Sequence, residues 1–384
     1  MMQKLFIRTT KQQQWQEHLN GIKDNLLQNV EKNDRESRFP IENIRTLQKI
    51  NYPAVTVPSQ YHGEGFSVYD MLLTQETLAS YDANTALIMS WTLGVAGEIF
   101  ERKLWSSEKR KELATALQQG ALINRAVSEV ATGSPTRGGR PQTTATKQGN
   151  YWVINGCKTF TTGAPMLNYF IVSAYIPAED TIGNFLIHRD IPGVHIEENW
   201  DVMAMRSSGS HNLQLRNVKV EADDLVELLT QRKSQLNGWS LHIPAVYLGI
   251  AQAARDYAVQ FAQHYQPNSL QTPISELPNV QQHIGHIELL LHQSRFVLYQ
   301  VATYYDDVEK RPLLTNELAV AKYTVTNHAV QIVDHAMRIV GAKSLQLSNP
   351  LQRHYRDVRA GLHNPPMDDM TIQKLATSAL FPPF

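Results

Sequence analysis

Residues 155–163 read Asn-Gly-Cys-Lys-Thr-Phe-Thr-Thr-Gly, and this stretch decides the fold class of the chain. Before it, Tyr151 and Val153 alternate with Trp152 and Ile154, which is the period of a β-strand. The Asn-Gly pair predicts a hairpin turn. Hydroxyl and backbone N–H groups at a strand end can bond the rim of a flat ring system, and an aromatic side chain can cover its face. The stretch therefore predicts a β-region that holds a flat ligand with polar edges.

An upstream stretch has the same character. Residues 126–129 read Ala-Val-Ser-Glu, and Gly133-Ser134 follows shortly after. Between residues 123 and 229 the apolar period is two, and the alternation within residues 213–220 slips by one position at Arg216-Asn217, which predicts a bulge or turn there. We predict a central domain over residues 123–229, built as a small β-sandwich or barrel.

Both flanks of this region are helical in pattern. Residues 1–122 predict an all-α N-terminal domain, punctuated by Gly and Pro. Residues 230–384 predict a C-terminal domain, because apolar residues recur at steps of four and three through residues 280–305 and 318–339. Spacing of this kind is typical of the seam of an antiparallel four-helix bundle. The fold class predicted from the pattern is α+β, with several domains.

The composition excludes several function classes. The chain has 384 residues, 42% of them hydrophobic, and its 36 Lys and Arg balance its 36 Asp and Glu. No basic stripe predicts a nucleic-acid partner, and no apolar run is long enough to predict membrane insertion. Residues 1–14 lack the apolar segment of a secretory signal. Because Cys157 is the only cysteine, it reads as a structural thiol, and a cytoplasmic protein is expected.

The order helical, β, helical and the two β-region stretches resemble the acyl-CoA dehydrogenase family over essentially the whole chain. The resemblance implies a flavoprotein that binds FAD between the β-domain and the C-terminal bundle. It places Val127 and Ser128 at the pyrimidine edge of the flavin, Phe160 beside the isoalloxazine ring and Thr162 near N5. It places Ser134 near the pantetheine or phosphate end of an acyl-CoA substrate.

The resemblance continues into the C-terminal domain. Residues 349–359 match the family's Arg-Asp segment well, and residues 337–342 match a segment at the adenosine side of FAD, which implies that Arg338 and Gly341 contact the cofactor. The family's Arg-x-x-Phe-Gly motif, which reaches the FAD pyrophosphate, is missing from the loop at residues 264–278. Arg338 could supply the missing charge, or it could be buried and paired with Asp334 one turn earlier.

The catalytic base is the main departure from the family pattern. The dehydrogenase reaction needs a base on the substrate α-carbon, and the two positions where relatives carry a Glu are occupied here by Pro365 and Trp239. We expect His363 to take this role, with Asp368 as the alternative, because a His is a competent base near neutral pH. His363 could also simply cap or pack its loop.

Three functions stay open at this point. The first is α,β-dehydrogenation of an acyl-CoA thioester, with hydride transfer to flavin N5 and an electron-transfer flavoprotein as a possible partner, in fatty acid metabolism; relatives are mostly homotetramers, and a homodimer is the alternative. The second is a monooxygenase that uses reduced flavin, since the run Leu-His-Asn-Pro at residues 362–365 resembles a segment of that branch. The third is an FAD-binding relative that has lost catalysis. A metal site at His283 and His286 is not expected, because no carboxylate or thiol completes a ligand set.

Overall fold

The computed structural model describes residues 2–132, 139–229 and 237–381. Side-chain hydrogen bonds define where the longer helices of the first segment begin. Thr9 and Ser67 form capping boxes at two of them, and the Asp82 carboxylate caps a third. The N-terminal helices are α1 (Thr10–Gly21), α2 (Lys23–Leu27), α3 (Val30–Glu36), α4 (Ile41–Lys49), α5 (Val68–Tyr81), α6 (Ala83–Glu101) and α7 (Ser107–Gln118).

The central region is one mixed, largely antiparallel sheet. Its strands are β1 (Ile123–Ala126), β2 (Thr144–Gln148), β3 (Tyr151–Lys158), β4 (Tyr169–Ile176), β5 (Thr181–His188), β6 (Val194–Glu197), β7 (Asn212–Glu221) and β8 (Leu225–Leu228). Their spatial order is β6-β7-β3-β2-β4-β5-β8, with β1 parallel to β4. β4 is buried along most of its length, whereas β2, β6 and β7 each have exposed positions.

The hairpin predicted at Asn155-Gly156 is wrong. These residues lie inside β3, and the turn between β2 and β3 is Gly149-Asn150, where Gly149 has φ +62°. Gly156 is needed for a close approach instead, because a Cβ atom there would lie 2.3 Å from Thr143 Oγ1. The predicted slip at Arg216-Asn217 is confirmed, since the β3–β7 register shifts opposite these residues and Asn217 has φ +52°.

The C-terminal region is helical. It contains α8 (His242–His264), α9 (Pro278–Asp306), α10 (Glu317–Val340), α11 (Pro350–Asp357) and α12 (Asp368–Leu380). The three long helices α8, α9 and α10 pack together, and α5 packs along α8. The predicted order of a helical, a β and a second helical region is therefore confirmed. None of the helices in the described ranges combines the length and the apolar character that a bilayer crossing demands.

A buried ion pair joins the two helical regions. Arg295 on α9 donates to Glu76 Oε1 on α5 at 2.8 and 2.5 Å, and Tyr299 donates to Glu76 Oε2 at 2.5 Å. Both charged side chains are 1% exposed. Because removing one partner would leave an uncompensated buried charge, this pair fixes α5 against the bundle.

Candidate active site

The two stretches singled out in the sequence lie side by side. β1 ends at Ala126, and the chain continues through the half-buried Val127 and Ser128. The Thr159 N–H donates to the Ser128 carbonyl oxygen at 2.9 Å, which brings the end of β3 against the end of β1. We call Val127, Ser128, Phe160 and Thr162 the cradle. This backbone hydrogen bond joins the two halves of the cradle.

A buried ion pair beneath the cradle fixes this arrangement. Glu129 Oε1 accepts hydrogen bonds from Lys158 Nζ at 2.5 Å and from Thr143 Oγ1 at 2.7 Å, while Lys158 also donates to Ser173 Oγ at 3.2 Å. Burial alone would raise the pKa of Glu129, but the bonds from Lys158, Thr143 and the Gln142 N–H hold that pKa below its ordinary value. Sequence reasoning missed this pair, although both residues lie inside the quoted stretches.

Phe160 is the unusual member of the cradle. Its backbone is left-handed at φ +56°, its side chain is 65% exposed, and its ring meets Trp200 edge-to-face at 5.7 Å between centroids. A left-handed backbone costs a non-glycine residue about 1 kcal/mol, and exposed aromatic surface forgoes the gain of burial. A flat ligand stacked on the ring would recover that surface.

Hydroxyl groups cluster behind Phe160. Thr162 Oγ1 lies 2.9 Å from Ser210 Oγ, which lies 2.7 Å from Ser208 Oγ. The buried hydroxyls of Thr161 and Ser207 have no hydrogen-bond partner within the described ranges. Buried polar groups without partners are rare in folded proteins. An exposed ring beside spare hydroxyls fits the face and polar rim of a flavin.

The cradle lies where three regions of the chain meet. In the loop after residue 204, the Met205 N–H donates to Asp357 Oδ1 at 2.6 Å. The Ser207 N–H donates to Asn84 Oδ1 at 3.1 Å. Asp357 ends α11 and is 1% exposed, and burial raises its pKa to about 7. The β-region is thus attached to α6 and to the C-terminal helices through main-chain donors.

The remaining predicted cofactor residues lie elsewhere. Arg338 and Gly341 are both exposed, at the end of α10 and just after it. The alternative in which Arg338 is buried against Asp334 is wrong, because Arg338 is exposed and the carboxylate of Asp334 lies 3.4 Å from the guanidinium of Arg359. Ser134, predicted to contact the substrate, lies outside the described residues.

Histidines surround Arg338. His283 Nδ1 lies 2.9 Å from His335 Nδ1, and the His286 ring stacks on that of His335 at 5.0 Å. Burial lowers the pKa of His335, and the neighbouring His283 and Arg338 lower it further. Sequence reasoning missed His335, since it lies on α10, far along the chain from the pair on α9.

A cavity of about 480 Å³ lies at the start of α8 and α10. Its lining includes Ser240 and Pro366, which follow directly in sequence Trp239 and Pro365, the two positions at which relatives carry the catalytic Glu. The Trp239 ring packs onto Gly97 of α6, and its Nε1 donates to Glu101 Oε2 at 3.1 Å. The lining residues are Asn237, Ser240, Leu241, Leu314, Thr315, Leu318, Ala319, Lys322, Pro366 and Lys374.

Residues 363–368, which we call the cavity loop, contain both sequence candidates for the base. His363 is exposed at the end of a short 3-10 helix. Asp368 accepts from Asn327 Nδ2 at 2.9 Å, and its other oxygen lies 3.5 Å from Lys322 Nζ. Sequence reasoning missed Lys322, although a charge in the apolar stripe of Leu318 and Val325 is a usable signal.

Two curated proteins illustrate the similarity in sequence. The chain is 54% identical over 376 residues to YdbM of Bacillus subtilis (strain 168), itself only provisionally named an acyl-CoA dehydrogenase, covering 98% of this chain and 99% of YdbM. It is 28% identical over 338 residues to the mitochondrial short-chain specific acyl-CoA dehydrogenase of Mus musculus, covering 85% and 79% of the two chains.

Solved structures agree on the fold. Butyryl-CoA dehydrogenase from Megasphaera elsdenii superposes with a TM-score of 0.85 at 22% identity, covering 97% of this chain and 99% of that one. A nitrososynthase from Micromonospora carbonacea superposes with a TM-score of 0.84 at 24% identity, covering 97% and 98%. Related structures hold FMN or FADH2, so the family's members bind flavins.

Models of the three acyl-CoA dehydrogenase domains match the chain in order. The N-terminal domain matches residues 9–117, the middle domain residues 124–218 and the C-terminal domain residues 229–362. The cradle falls in the middle domain, and the cavity loop at residues 363–368 begins directly after the C-terminal match ends. With a full-length relative at 54% identity, these matches show that the chain belongs to the acyl-CoA dehydrogenase family of flavin-dependent oxidoreductases.

Proposed function

We propose that this protein catalyses the α,β-dehydrogenation of an acyl-CoA thioester with FAD as its cofactor. The observation that carries the proposal is the cavity of about 480 Å³, whose lining residues Ser240 and Pro366 follow directly in sequence the two positions of the family's base. Leu241, Leu314 and Leu318 give it apolar walls for an acyl group. Membership of the family supports the reaction class, and the acyl chain length is left open.

The cradle residues would hold the cofactor. Phe160 offers an exposed ring face for stacking, and Thr162 and the main chain at Val127 and Ser128 offer hydrogen bonds to the ring edge. We keep Arg338 and Gly341 as predicted contacts at the adenosine side, and Ser134 as a predicted substrate contact. FAD, when bound, supplies the acceptor for the hydride that leaves the β-carbon.

The chain itself must supply the proton acceptor at the α-carbon. His363 remains a predicted base, and its exposure places it where bulk water also reaches. Asp368 is the other candidate in the same loop. Whichever group acts, it has to lie within hydrogen-bond reach of the α-proton in the bound complex.

The test is to mix FAD-loaded protein anaerobically with a panel of acyl-CoA thioesters and to record the absorbance of the visible flavin band. Bleaching by a saturated thioester, with appearance of the enoyl product, is the expected result. Absence of bleaching by every thioester, in protein shown to hold flavin, would overturn the dehydrogenase. The same measurement on His363→Ala checks the predicted base.

A monooxygenase that takes reduced flavin from a separate reductase is the second candidate. The observation that favours it is the absence of a carboxylate at residues 239 and 365. A nitrososynthase also shares the fold. The two functions differ in how they hold flavin: a dehydrogenase should copurify with tightly bound FAD, and a monooxygenase should arrive mostly free of flavin. A relative that has lost catalysis should bind neither flavin nor substrate well.

We further propose a homotetramer or homodimer, an electron-transfer flavoprotein as the electron acceptor, and a cytoplasmic role in fatty acid metabolism. The domain limits 1–122, 123–229 and 230–384 are part of this proposal. Sedimentation of the holoprotein and reduction of added electron-transfer flavoprotein by protein plus thioester are the direct measurements. A monomer, or reoxidation by oxygen alone, would count against these assignments.

A further inference from the structure

Residues 198–205, which we call the tryptophan loop, connect β6 to a short 3-10 helix at Arg206–Ser208. Trp200 on this loop is half-buried, and its ring is the edge-to-face partner of the exposed Phe160 ring in the cradle. The indole Nε1 of Trp200 also donates to the Met205 carbonyl oxygen at 3.0 Å. The position of Trp200 therefore decides how the Phe160 ring is supported where a flavin would stack on it.

One side chain outside the tryptophan loop holds the loop backbone. The Asn199 and Trp200 N–H groups donate to His211 Nδ1 at 3.0 and 3.1 Å. Because a main-chain N–H can only donate, Nδ1 has to be the acceptor, and the ring has to be neutral with its proton on Nε2. A proton on Nδ1 would place a third N–H against these two donors and would break both hydrogen bonds.

His211 is joined to the cradle as well as to the tryptophan loop. It directly precedes β7, and its carbonyl oxygen accepts the Thr161 N–H at 3.2 Å. Thr161 lies between the cradle residues Phe160 and Thr162. His211 thus bonds the segment that carries Phe160 through its main chain, and the loop that carries Trp200 through its imidazole.

The titratable groups around the imidazole are carboxylates of the tryptophan loop and of β6. Burial lowers the pKa of His211 below its ordinary value of 6.5, and Glu198 in the loop acts in the opposite direction. Asp201 is exposed, and Glu197 of β6 accepts hydrogen bonds from two side-chain amides of β7. The cradle segment at residues 159–163 has no ionisable side chain.

Two charged groups lie at the far end of the tryptophan loop. Arg206 donates to the main-chain carbonyl oxygens of Asp34 and Val202, and its charge does not change with pH in the neutral range. Burial raises the pKa of Asp357 to about 7, and its Oδ1 accepts the Met205 N–H. These contacts involve other atoms of the loop, so a substitution of the imidazole alone separates its titration from that of Asp357.

We propose that His211 is a positioning residue of the flavin site: its neutral ring holds Trp200 against Phe160, and its protonation releases Trp200 and weakens flavin binding. This role rests on the proposed flavin contact of the cradle and not on the dehydrogenase reaction. Because protonation and flavin binding oppose each other, bound flavin must in turn make His211 harder to protonate. Flavin affinity then falls by at most about tenfold per pH unit below the pKa of His211 in the free protein.

The first measurement follows Trp200 without any cofactor. The chain has six tryptophans, so protein labelled with 5-fluorotryptophan gives six fluorine NMR signals, and Trp200→Phe identifies the signal of Trp200. In the apoprotein this signal should shift as the pH is lowered, with a midpoint below 6.5. The shift should be lost in His211→Asn, because an amide oxygen near the position of Nδ1 accepts the same N–H groups and does not titrate.

Titration with FAD, recorded by flavin fluorescence, then tests whether the loop acts on the cofactor. FAD suits this test because its pyrophosphate keeps its charge over the pH range used. The wild-type dissociation constant should be about fivefold higher one pH unit below the Trp200 midpoint than two units above it, the loss expected for one aromatic contact. His211→Asn should bind with nearly wild-type affinity at the higher pH and show no such change. His211→Leu, which has no acceptor, should bind about fivefold more weakly at both pH values.

His195→Asn is the matched control. It makes the same substitution at an exposed histidine of β6, outside the cradle and the tryptophan loop. This variant should keep both the wild-type midpoint of the Trp200 signal and the wild-type change in FAD affinity. If His211→Leu does not fold, the comparison of His211→Asn with His195→Asn still decides the matter.

The outcomes separate the role of His211 from the proposed reaction. A Trp200 signal that does not respond to pH, a response that persists in His211→Asn, or an FAD affinity that stays constant through the midpoint would overturn this role. FAD binding whose pH dependence requires His211, without flavin bleaching by any thioester, would support this role and overturn the dehydrogenase. Bleaching by a thioester, together with an FAD affinity that does not change with pH, would support the dehydrogenase and overturn the role of His211.

Discussion

The cradle and the cavity loop are stabilised by different interactions. The cradle is held by the buried Glu129–Lys158 ion pair and by the main-chain hydrogen bond from Thr159 to Ser128. The cavity loop joins a short 3-10 helix to α12, and its His363 is exposed. Folding depends on the first region, whereas the exposed His363 of the second can be exchanged at little cost in stability.

This difference explains where the chain keeps the family pattern and where it departs. Removing Glu129 or Lys158 beneath the cradle leaves its partner buried and uncompensated, so such changes lower the free energy of unfolding. Replacing a loop carboxylate by Pro365 leaves no such orphan. The four predictions below measure this contrast, beginning with the largest expected effect.

Lys158→Met should lower the free energy of unfolding by about 4 kcal/mol, because Glu129 would remain buried without its cation. Chemical denaturation measures this directly. The double variant Glu129→Gln with Lys158→Met should recover part of the loss, since no buried charge remains. A loss below about 1 kcal/mol in the single variant would show that water reaches the pair and would weaken the contrast.

Asp357 joins the two regions, because its carboxylate accepts the Met205 N–H, and it makes stability depend on pH. Its folded pKa of about 7 lies above its unfolded value, so the folded state holds a proton that the unfolded chain releases. Between about pH 4 and 7 this group should therefore remove stability as pH rises, at up to about 1.4 kcal/mol per pH unit.

The measurement for Asp357 is the difference in the free energy of unfolding between the wild type and Asp357→Asn, obtained by chemical denaturation at several pH values from 4 to 8. The amide keeps an acceptor for the Met205 N–H and cannot ionise, so the variant should gain relative stability towards pH 7 and hold a constant advantage above it. A difference that does not change with pH would mean that Asp357 is ionised in the folded protein throughout.

Phe160→Gly should separate binding from folding. Glycine relieves the left-handed backbone at φ +56°, so stability should stay level or rise by about 1 kcal/mol. Loss of the stacked ring should weaken flavin affinity by about 1 kcal/mol, or roughly fivefold to tenfold. Fluorescence titration with FAD checks this. A large loss of stability with unchanged flavin affinity would show that Phe160 supports the fold and does not stack on the flavin.

The sequence predicts the features that depend on local pattern and not those that depend on contacts between separate elements. The alternation in residues 151–154 and the stripes of α9 and α10 report burial, which governs local pattern, so the order of regions is predictable. The hairpin was misplaced because Asn-Gly satisfies turn chemistry wherever it occurs. At Gly156 the close approach of Thr143 decides, and that contact depends on the pairing of β2 with β3 through the turn at Gly149-Asn150.

The site was predictable where it rests on strand ends and not where it rests on helix packing. The link between Ser128 and Thr159 follows from two stretches of one domain. Lys322 and Asp368 lie 46 positions apart on α10 and α12, and only the packing of these helices brings them within 3.5 Å. A lysine inside an apolar helical stripe is a cue that can be sought in other chains of this fold.

His363→Ala is the smallest expected effect on folding and completes the comparison. The side chain is exposed at the end of a 3-10 helix, so its removal should change the free energy of unfolding by no more than about 0.5 kcal/mol. Urea denaturation of this variant and of Lys158→Met under the same conditions compares the two losses of unfolding free energy directly. If His363→Ala destabilised the protein as much as Lys158→Met, the cavity loop would contribute to the stability of the fold. The presence of Pro365 where relatives carry a Glu would then need another explanation.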